Sequence, residues 1–567
     1  MHTTGTAFLE ALVETGVEYV FCNLGSDHTS LVEAYAAARR AGRKVPLFVT
    51  APHEMVAMTV AHGFAQASGR AQAVVVHVDC GTQSLAGAVH NAAKGRVPVL
   101  VFAGMSPATL EGEARGSRNE FIHWLQDSFD QRGLVRGYMR YDNEIRVGAN
   151  VKQIVHRAMQ FANSDPRGPV YLTAAREVME QEIPPVTIDN ARWPTVAPTA
   201  LPPDAPAEIA RQLANAKRPL VVTSYLGRNV AASEQLVRFA QRLGIGVLES
   251  VPNHLSFPTD NPLYQGSQWN EKRQNIALAE ADVILVIDSD VPWIPQINKP
   301  SRDAKIIHID VDPLKQQMPL WYIGAEQSYR ADAEIALRQI NAHLDTVKVN
   351  ESAVAERRAH YEQSHRERLT ALRRAEQPQG DSITPEYLSA CVGRAIGPDA
   401  IVLSEGVTNF HNISNHAGRT KPGTLMASGG GSLGWNGGAA VGVKMAKPDA
   451  FVTAMTGDGT YMFTIPSTVH WMARRYNAPF LQVVFNNGGW RAPRFSAVGV
   501  HPQGLASQGD DIGISFDSPP DYAGIAAASG GAHGETIKRV DEVEAAVARA
   551  VRAVREEKRS AVINAFV

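Results

Sequence analysis

The chain has 567 residues, 44% of them hydrophobic and 20% charged, with a formal net charge of −2. At roughly one domain per 100–200 residues it is too long for one core, so three or four domains are expected. The near-neutral charge argues against a nucleic-acid partner, because contact with a phosphate backbone normally requires a basic excess. Cys22, Cys80 and Cys391 are widely spaced, which suits a reducing compartment without a disulfide framework or zinc site. The first residues lack a basic-then-apolar leader pattern, and no apolar run is long enough to span a bilayer. A cytoplasmic protein with no membrane partner is the expectation.

Residues 1–182 alternate apolar, strand-like runs (19–22, 47–50, 73–78, 97–103, 169–173) with helix-like stretches at 5–15, 29–41, 53–68, 83–94 and 150–163. That alternation predicts a doubly wound parallel sheet, an α/β domain. Glu54 falls at a strand-to-helix junction, where the helix dipole alone favours a carboxylate by roughly 0.3–1 kcal/mol. Ser26 and His28 follow the first strand, where turn and N-cap roles compete with ligand contact. His77 closes the third strand, and a histidine near neutrality can both donate and accept a proton. Asp27 and Asp79 read as solvated or capping carboxylates.

A proline-rich linker, 183–206, leads to a second α/β unit at 207–345. Strand-like runs at 220–223, 245–249, 283–288 and 305–310 alternate there with helices near 206–216, 232–243 and 271–280. The unit shows no Gly-x-Gly-x-x-Gly at a strand-helix turn, so a structural role is expected. Residues 346–377 interleave opposite charges in a helical setting, which predicts a solvated linking helix.

The last domain, 378–567, carries the densest signal. A strand-like run at 400–403 leads into Gly406, Thr408 and Asn409, whose backbone and side-chain polar groups suit phosphate oxygens. Ser428-Gly429-Gly430-Gly431-Ser432-Leu433-Gly434 follows. Buried-strand runs at 450–455 and 480–485 flank a helical stretch at 466–476 and end at Gly457-Asp458-Gly459 and Asn486-Asn487-Gly488-Gly489. Glycine permits a tight turn and close approach of backbone to ligand. In a parallel sheet both ends share one edge, so Asp458 and Asn487 meet although 29 positions (487 − 458) separate them. A carboxylate, an amide oxygen and a glycine carbonyl are hard donors that suit Mg²⁺ or Ca²⁺, and a cation held by so few protein groups calls for a phosphorylated cofactor. From about 488 to Pro520 the chain is polar and glycine-rich, which predicts a closing loop. It contains Trp490, Arg491 and Arg494, candidate contacts to an anionic substrate.

Gly-Asp-Gly, a spacer of just under thirty residues and Asn-Asn together resemble the signature of the thiamine-diphosphate enzymes. The resemblance implies three doubly wound domains: pyrimidine-binding, middle Rossmann-like and diphosphate-binding. It implies Mg²⁺ on Asp458, Asn487 and the Gly489 carbonyl, with Gly457, Gly459 and the Thr460 hydroxyl at the diphosphate beside Gly406, Thr408 and Asn409. Gly431 would hold the cofactor's 4′-amino group with its carbonyl, and Leu433 would wedge the cofactor into a V. Glu54 would donate a proton to N1′ of the aminopyrimidine, activating the C2 carbanion that leads to an enamine intermediate.

Among the family, Ser26 and His77 look most like the substrate-facing pair of benzoylformate decarboxylase. The second histidine of that enzyme has no counterpart in 288–295. The resemblance places the cofactor between two copies, implying a homodimer or homotetramer, and points to a lyase acting on a small 2-oxo acid or 2-hydroxyacyl compound. An acetolactate-synthase-like carboligase and a 2-hydroxyacyl-CoA lyase or oxalyl-CoA decarboxylase are alternatives; a non-catalytic relative is disfavoured by Glu54, Asp458 and Asn487. No flavin motif supports FAD. The roles of His411 and His416 stay open.

Overall fold

The computed structural model describes residues 2–321, 323–509 and 512–567, apart from the Ala86 side chain. Among these, three six-stranded sheets form, and every strand pair in them is parallel. The first sheet contains β1 (Tyr19–Cys22), β2 (Leu47–Thr50), β3 (Gln72–Val76), β4 (Val99–Met105), β5 (Tyr141–Glu144) and β6 (Val170–Ala175), in the order 2-1-3-4-6-5. The second contains β7 (Pro219–Thr223), β8 (Gly246–Ser250), β9 (Tyr264–Gln268), β10 (Val283–Ile287), β11 (Lys305–Asp310) and β12 (Gln327–Arg330), ordered 12-11-10-7-8-9. The third contains β13 (Ile401–Glu405), β14 (Leu425–Met426), β15 (Val452–Gly457), β16 (Leu481–Asn486), β17 (His533–Ile537) and β18 (Ala561–Phe566), ordered 14-13-15-16-18-17.

Central strands such as β3, β10 and β16 are buried along their whole length. Helices cover both faces of such sheets, and the strands therefore read as unbroken apolar runs. The edge strands β5, β9 and β12 lack that run and carry no strand signal in the sequence. Among the helices, Val78–Lys94 begins directly after His77, five positions before the expected start (83 − 78). The expected 271–280 helix is only Ile276–Glu280, and Ala333–Leu344 is a further helix of the middle unit. The charged helix Glu351–Ala375 is more than a solvated link. It buries Val354, Arg357, Tyr361 and His365 at helical spacing, and the Tyr361 hydroxyl donates to the Pro219 carbonyl at 2.8 Å. No described helix is long and apolar enough to cross a membrane.

The first and last domains share one core, in which Val56, Val60, Trp435, Ala439 and Val443 pack together. Helix Glu54–Ser68 crosses helix Asn436–Ala446 at Gly63, Gly438 and Gly442, where a Cβ would overlap the facing helix.

Strand order reverses between β1 and β3, between β7 and β10, and between β13 and β15. At such points two strand ends diverge and leave a crevice for ligands. The middle crevice is crossed by a buried ion-pair cluster. Arg96 of the first domain donates to Asp310 and Asp290, both at 3.0 Å, and lies over the Tyr225 ring. Lys315 adds bonds of 2.6 and 2.7 Å to the same two carboxylates. Burial alone would raise the Asp310 carboxyl; the Arg96 and Lys315 charges outweigh it and hold it well below the usual carboxylate range. The other two crevices are the candidate site.

Candidate functional site

In the last domain, β13 and β15 end side by side. Gly406 follows β13, and Val407 adopts φ 47°, a left-handed conformation costly for a β-branched residue, before the buried Asn409. Gly457 ends β15 at φ −79° and Asp458 opens a short helix, Asp458–Phe463. The tight turn expected at Gly457-Asp458-Gly459 is thus a plain strand-to-helix junction. Gly459 is required for another reason: a Cβ there would run into the indole of Trp490. Thr460 is buried in the same first turn.

Asp458 is 2% exposed. Its Oδ1 accepts from the Gly459 N–H at 2.8 Å and its Oδ2 from the Gly489 N–H at 2.9 Å, so the ends of β15 and β16 are brought together. Burial raises its carboxyl above the usual range against those donors. Close by, the Asn487 side-chain oxygen is buried without a hydrogen-bond partner. A buried, unpartnered amide oxygen beside a buried carboxylate is a costly arrangement for the protein alone and a suitable one for a hard cation. Among the described residues no group of three or more His, Cys, Asp and Glu is placed to hold a metal. A cation here would rest on Asp458, Asn487 and a main-chain carbonyl and take its remaining oxygens from a ligand.

The glycine loop preceding helix Asn436–Ala446 is gripped from two sides. Gly431 sits at φ 82°, outside ordinary side-chain territory, and Leu433 is half-buried. Asn91 of the first domain donates to the Ser432 carbonyl at 2.7 Å and accepts from its N–H at 2.9 Å. Glu405, at the end of β13, accepts from the N–H groups of Trp435 (3.0 Å) and Asn436 (2.8 Å), capping that helix. Burial pushes its carboxyl up to about 7.

In the first domain, β1, β2 and β3 deliver their ends to one edge. The Glu54 carboxylate accepts from Asn23 Nδ2 at 3.0 Å, and His53 lies at 3.9 Å. His77 stands across the crevice; its Nδ1 bonds Asp27 Oδ1 at 2.6 Å and its Nε2 bonds Gln126 Oε1 at 2.7 Å. Asp27 is 3% exposed, correcting the expectation of a solvated or capping carboxylate. Asp79 lies in the first turn of helix Val78–Lys94 but makes no capping bond, and its Oδ1 is buried without a partner. Ser26 Oγ bonds His123 Nε2 at 3.2 Å. His28 is buried and its Nδ1 accepts from the Gly25 N–H at 3.0 Å, bracing the turn, while its Nε2 is buried without a partner. Gln126 and His123 carry no sequence signal: the 106–131 segment has no periodicity, and only the fold lays it over the β1–β3 crevice.

Three models of thiamine pyrophosphate enzymes match the chain: the N-terminal TPP binding domain over residues 2–134, the central domain over 207–340 and the C-terminal TPP binding domain over 406–565. The chain belongs to the thiamine pyrophosphate enzymes. It is 25% identical over 509 residues to benzoylformate decarboxylase of Pseudomonas aeruginosa, covering 88% of each chain. It is 26% identical to sulfoacetaldehyde acetyltransferase of Castellaniella defragrans, covering 99% of this chain and 92% of that one. A probable acetolactate synthase large subunit of Methanocaldococcus jannaschii is 25% identical, with 85% and 79% covered. The fold is similar to that of a 4-hydroxybenzoylformate decarboxylase from Rhodococcus jostii, with a TM-score of 0.78, 20% identity and 100% and 99% of the chains covered.

In this thiamine pyrophosphate enzyme the segment after Asn487 departs from the expected irregular loop: Arg491–Val500 is helical, and Leu505–Gln508 forms a further turn. Residues 510 and 511 of the expected loop lie outside the described residues. The segment returns to the site where the Trp490 N–H donates to the Ile514 carbonyl at 2.8 Å. Arg491 turns back onto the Asn487 carbonyl at 3.0 Å, and Arg494 is half-buried along the helix. His416 is buried against Glu376 at 2.9 Å, which ties the last domain to the charged helix, and His411 pairs with Glu271 at 3.3 Å near the surface.

Proposed function

We propose that this enzyme is a magnesium- and thiamine-diphosphate-dependent lyase that breaks a C–C bond next to a carbonyl, decarboxylating a 2-oxo acid or cleaving a 2-hydroxyacyl compound. The observation that carries the reading is the unpartnered Asn487 oxygen and the buried Asp458 carboxylate at the joined ends of β15 and β16. Asp458, Asn487 and the Gly489 carbonyl would hold Mg²⁺, or Ca²⁺ in its place. Gly406, Thr408, Asn409, Gly457, Gly459 and Thr460 would face the diphosphate, and Gly431 and Leu433 would position the aminopyrimidine. Bound thiamine diphosphate supplies an acidic carbon that adds to carbonyls and an electron sink for the broken bond, which no side chain provides. Glu54 holds the proton exchanged with the aminopyrimidine ring nitrogen. His77 and Ser26 bind and protonate the substrate.

A homodimer or homotetramer is part of this proposal. His77 and Asn91 lie 14 positions apart (91 − 77) along one helix, about 20 Å at 1.5 Å per residue. The glycine loop held by Asn91 therefore stands far from the His77 crevice of its own chain, and a second copy supplies the loop that faces it. Phe121, Trp124 and Leu125 beside that crevice, and Met462 and Phe463 beside Asp458, are exposed apolar residues of the kind such a contact covers.

The reading is tested with Glu54→Gln. Cofactor binding by calorimetry should persist while exchange of the C2 proton slows severely; unchanged exchange removes the role of Glu54. Similarity to acetolactate synthases supports a carboligase as the second reading. With pyruvate alone, accumulation of acetolactate and not acetaldehyde selects it. The Arg96 ion pairs across the middle crevice weigh against a coenzyme A ester there.

A further inference from the structure

We infer that Asp27 and Gln126 hold His77 as a doubly protonated imidazolium at the substrate edge, with Asp27 as the positioning residue that sets the charge His77 presents. The inference rests on the reading of this crevice as the substrate side of the enzyme and goes beyond it in stating the form in which His77 acts.

Both ring nitrogens of His77 face oxygen acceptors, Asp27 Oδ1 at 2.6 Å and Gln126 Oε1 at 2.7 Å. An imidazole can satisfy two acceptors only by carrying a proton on each nitrogen. Among the described residues, the cation hydrogen-bonded to Asp27 is His77. The second histidine neighbour of Asp27, His28, at 3.1 Å, uses Nδ1 to accept from the Gly25 N–H and is fully buried, which lowers its affinity for a second proton.

The backbone around the pair is shaped to admit it. A Cβ at Gly25 would overlap the His77 ring, and one at Gly104 would overlap the Asp27 carboxylate. Val78, whose N–H donates to Asp27 Oδ2 at 3.2 Å, sits at φ 35°, a strained conformation for a β-branched residue. The hydrogen bond that His77 donates to Asp27 and the charge of that carboxylate, with Gln126 and Asp79, raise the His77 affinity for its proton against the opposing effect of burial. Asp79 and Cys80 on its own helix, Asp27 and His28 on the β1 turn and His123 on the covering segment are the titratable groups around it. His123 adds no positive charge, since its Nδ1 accepts from the N–H groups of Asn119 and Glu120. It donates through Nε2 to Ser26, whose own O–H is thereby left to point at a ligand. Gln126 Oε1 marks the place at which a substrate oxygen accepts from the charged ring. His77 thus enters the reaction as a proton donor and anion holder, with no lone pair for service as a base.

The test labels histidine at Cε1 and the ring nitrogens and follows His77 by NMR in the full chain, its signal assigned by its loss in His77→Gln. At pH 7 both nitrogens should be protonated. In Asp27→Asn the midpoint should fall below the ~6.5 of a free imidazole, and in Gln126→Leu it should move in the same direction. A wild-type His77 neutral at pH 7, or an unmoved midpoint in Asp27→Asn, overturns the inference. Should Asp27→Asn not fold, the wild-type nitrogen signals and the Gln126→Leu titration decide it. Thiamine diphosphate titration by calorimetry in the same samples reports separately on the proposed function, because the His77 readout does not depend on cofactor or turnover.

Discussion

Asp458 Oδ2 accepts the backbone N–H of Gly489 at 2.9 Å, tying the end of β15 to the loop that leaves β16. The carboxylate thereby gives each of its oxygens one neutral donor and keeps its charge uncompensated.

That uncompensated charge sets the first prediction. Chelation of divalent cations should weaken thiamine diphosphate binding, and Mg²⁺ or Ca²⁺ should restore it. Asp458→Ala should cost at least the ~10–100-fold that disturbing the supporting shell of a metal costs. Calorimetry across a Mg²⁺ series checks this; equal cofactor affinity with and without the metal would contradict the donor set.

Gly459 admits the Trp490 indole where any Cβ would overlap it. Gly459→Ala should displace Trp490 from its edge contacts with Phe463 and Phe516, at an overpacking cost of about 1–3 kcal/mol. Tryptophan emission should shift and the thermal midpoint fall. An unchanged spectrum would show that the ring is not seated there.

Arg96 joins the first domain to the middle crevice through Asp290 and Asp310. Arg96→Met leaves Asp310 with Lys315 as its cation beside the Tyr225 hydroxyl and the Asp312 N–H, and breaking a buried pair costs about 3–5 kcal/mol, so a loss near the lower end is expected. Hydrogen exchange should quicken at 288–290 and 310–312. Arg96→Lys, which keeps charge but not the two-pronged geometry, should fall between.

Glu405 gives the structure a pH dependence. Burial pushes its folded-state carboxyl up to about 7, above the 4.5 of a free glutamate. The stability contributed by the protonated form is therefore full below about 4.5 and is lost as pH rises through 7. Relative to Glu405→Gln, the wild type should lose on the order of 3 kcal/mol across that window, at 1.36 kcal/mol per unit. Thermal midpoints of both proteins at pH 5 and pH 8 give the comparison, and parallel changes would refute it.

The strands buried on both faces were legible because their pattern is local: β3, β10 and β16 are runs of apolar residues that a sheet covered by helices demands. The placement of Asp458 and Asn487 at neighbouring strand ends was legible for the same reason, since both close such runs. The edge strands β5, β9 and β12 were not, because an edge strand needs no continuous apolar stretch, whereas edge strand β2 kept enough of one to be read. Asp27 was misjudged because nothing in Ser26-Asp27-His28 tells a solvated carboxylate from one inserted against Gly104, a residue 77 positions away (104 − 27).

By itself the sequence determined the alternation of strands and helices, the three α/β units and the arrival of Asp458 and Asn487 at adjoining strand ends, all of which depend on residue type and short spacing. Tertiary structure alone decided that Arg96 crosses the middle crevice, that His123 stands behind Ser26 and that Asp27 and Gln126 bracket His77. Those contacts join segments distant in sequence, and their energy comes from desolvation and hydrogen-bond geometry that exist only after the sheets have packed.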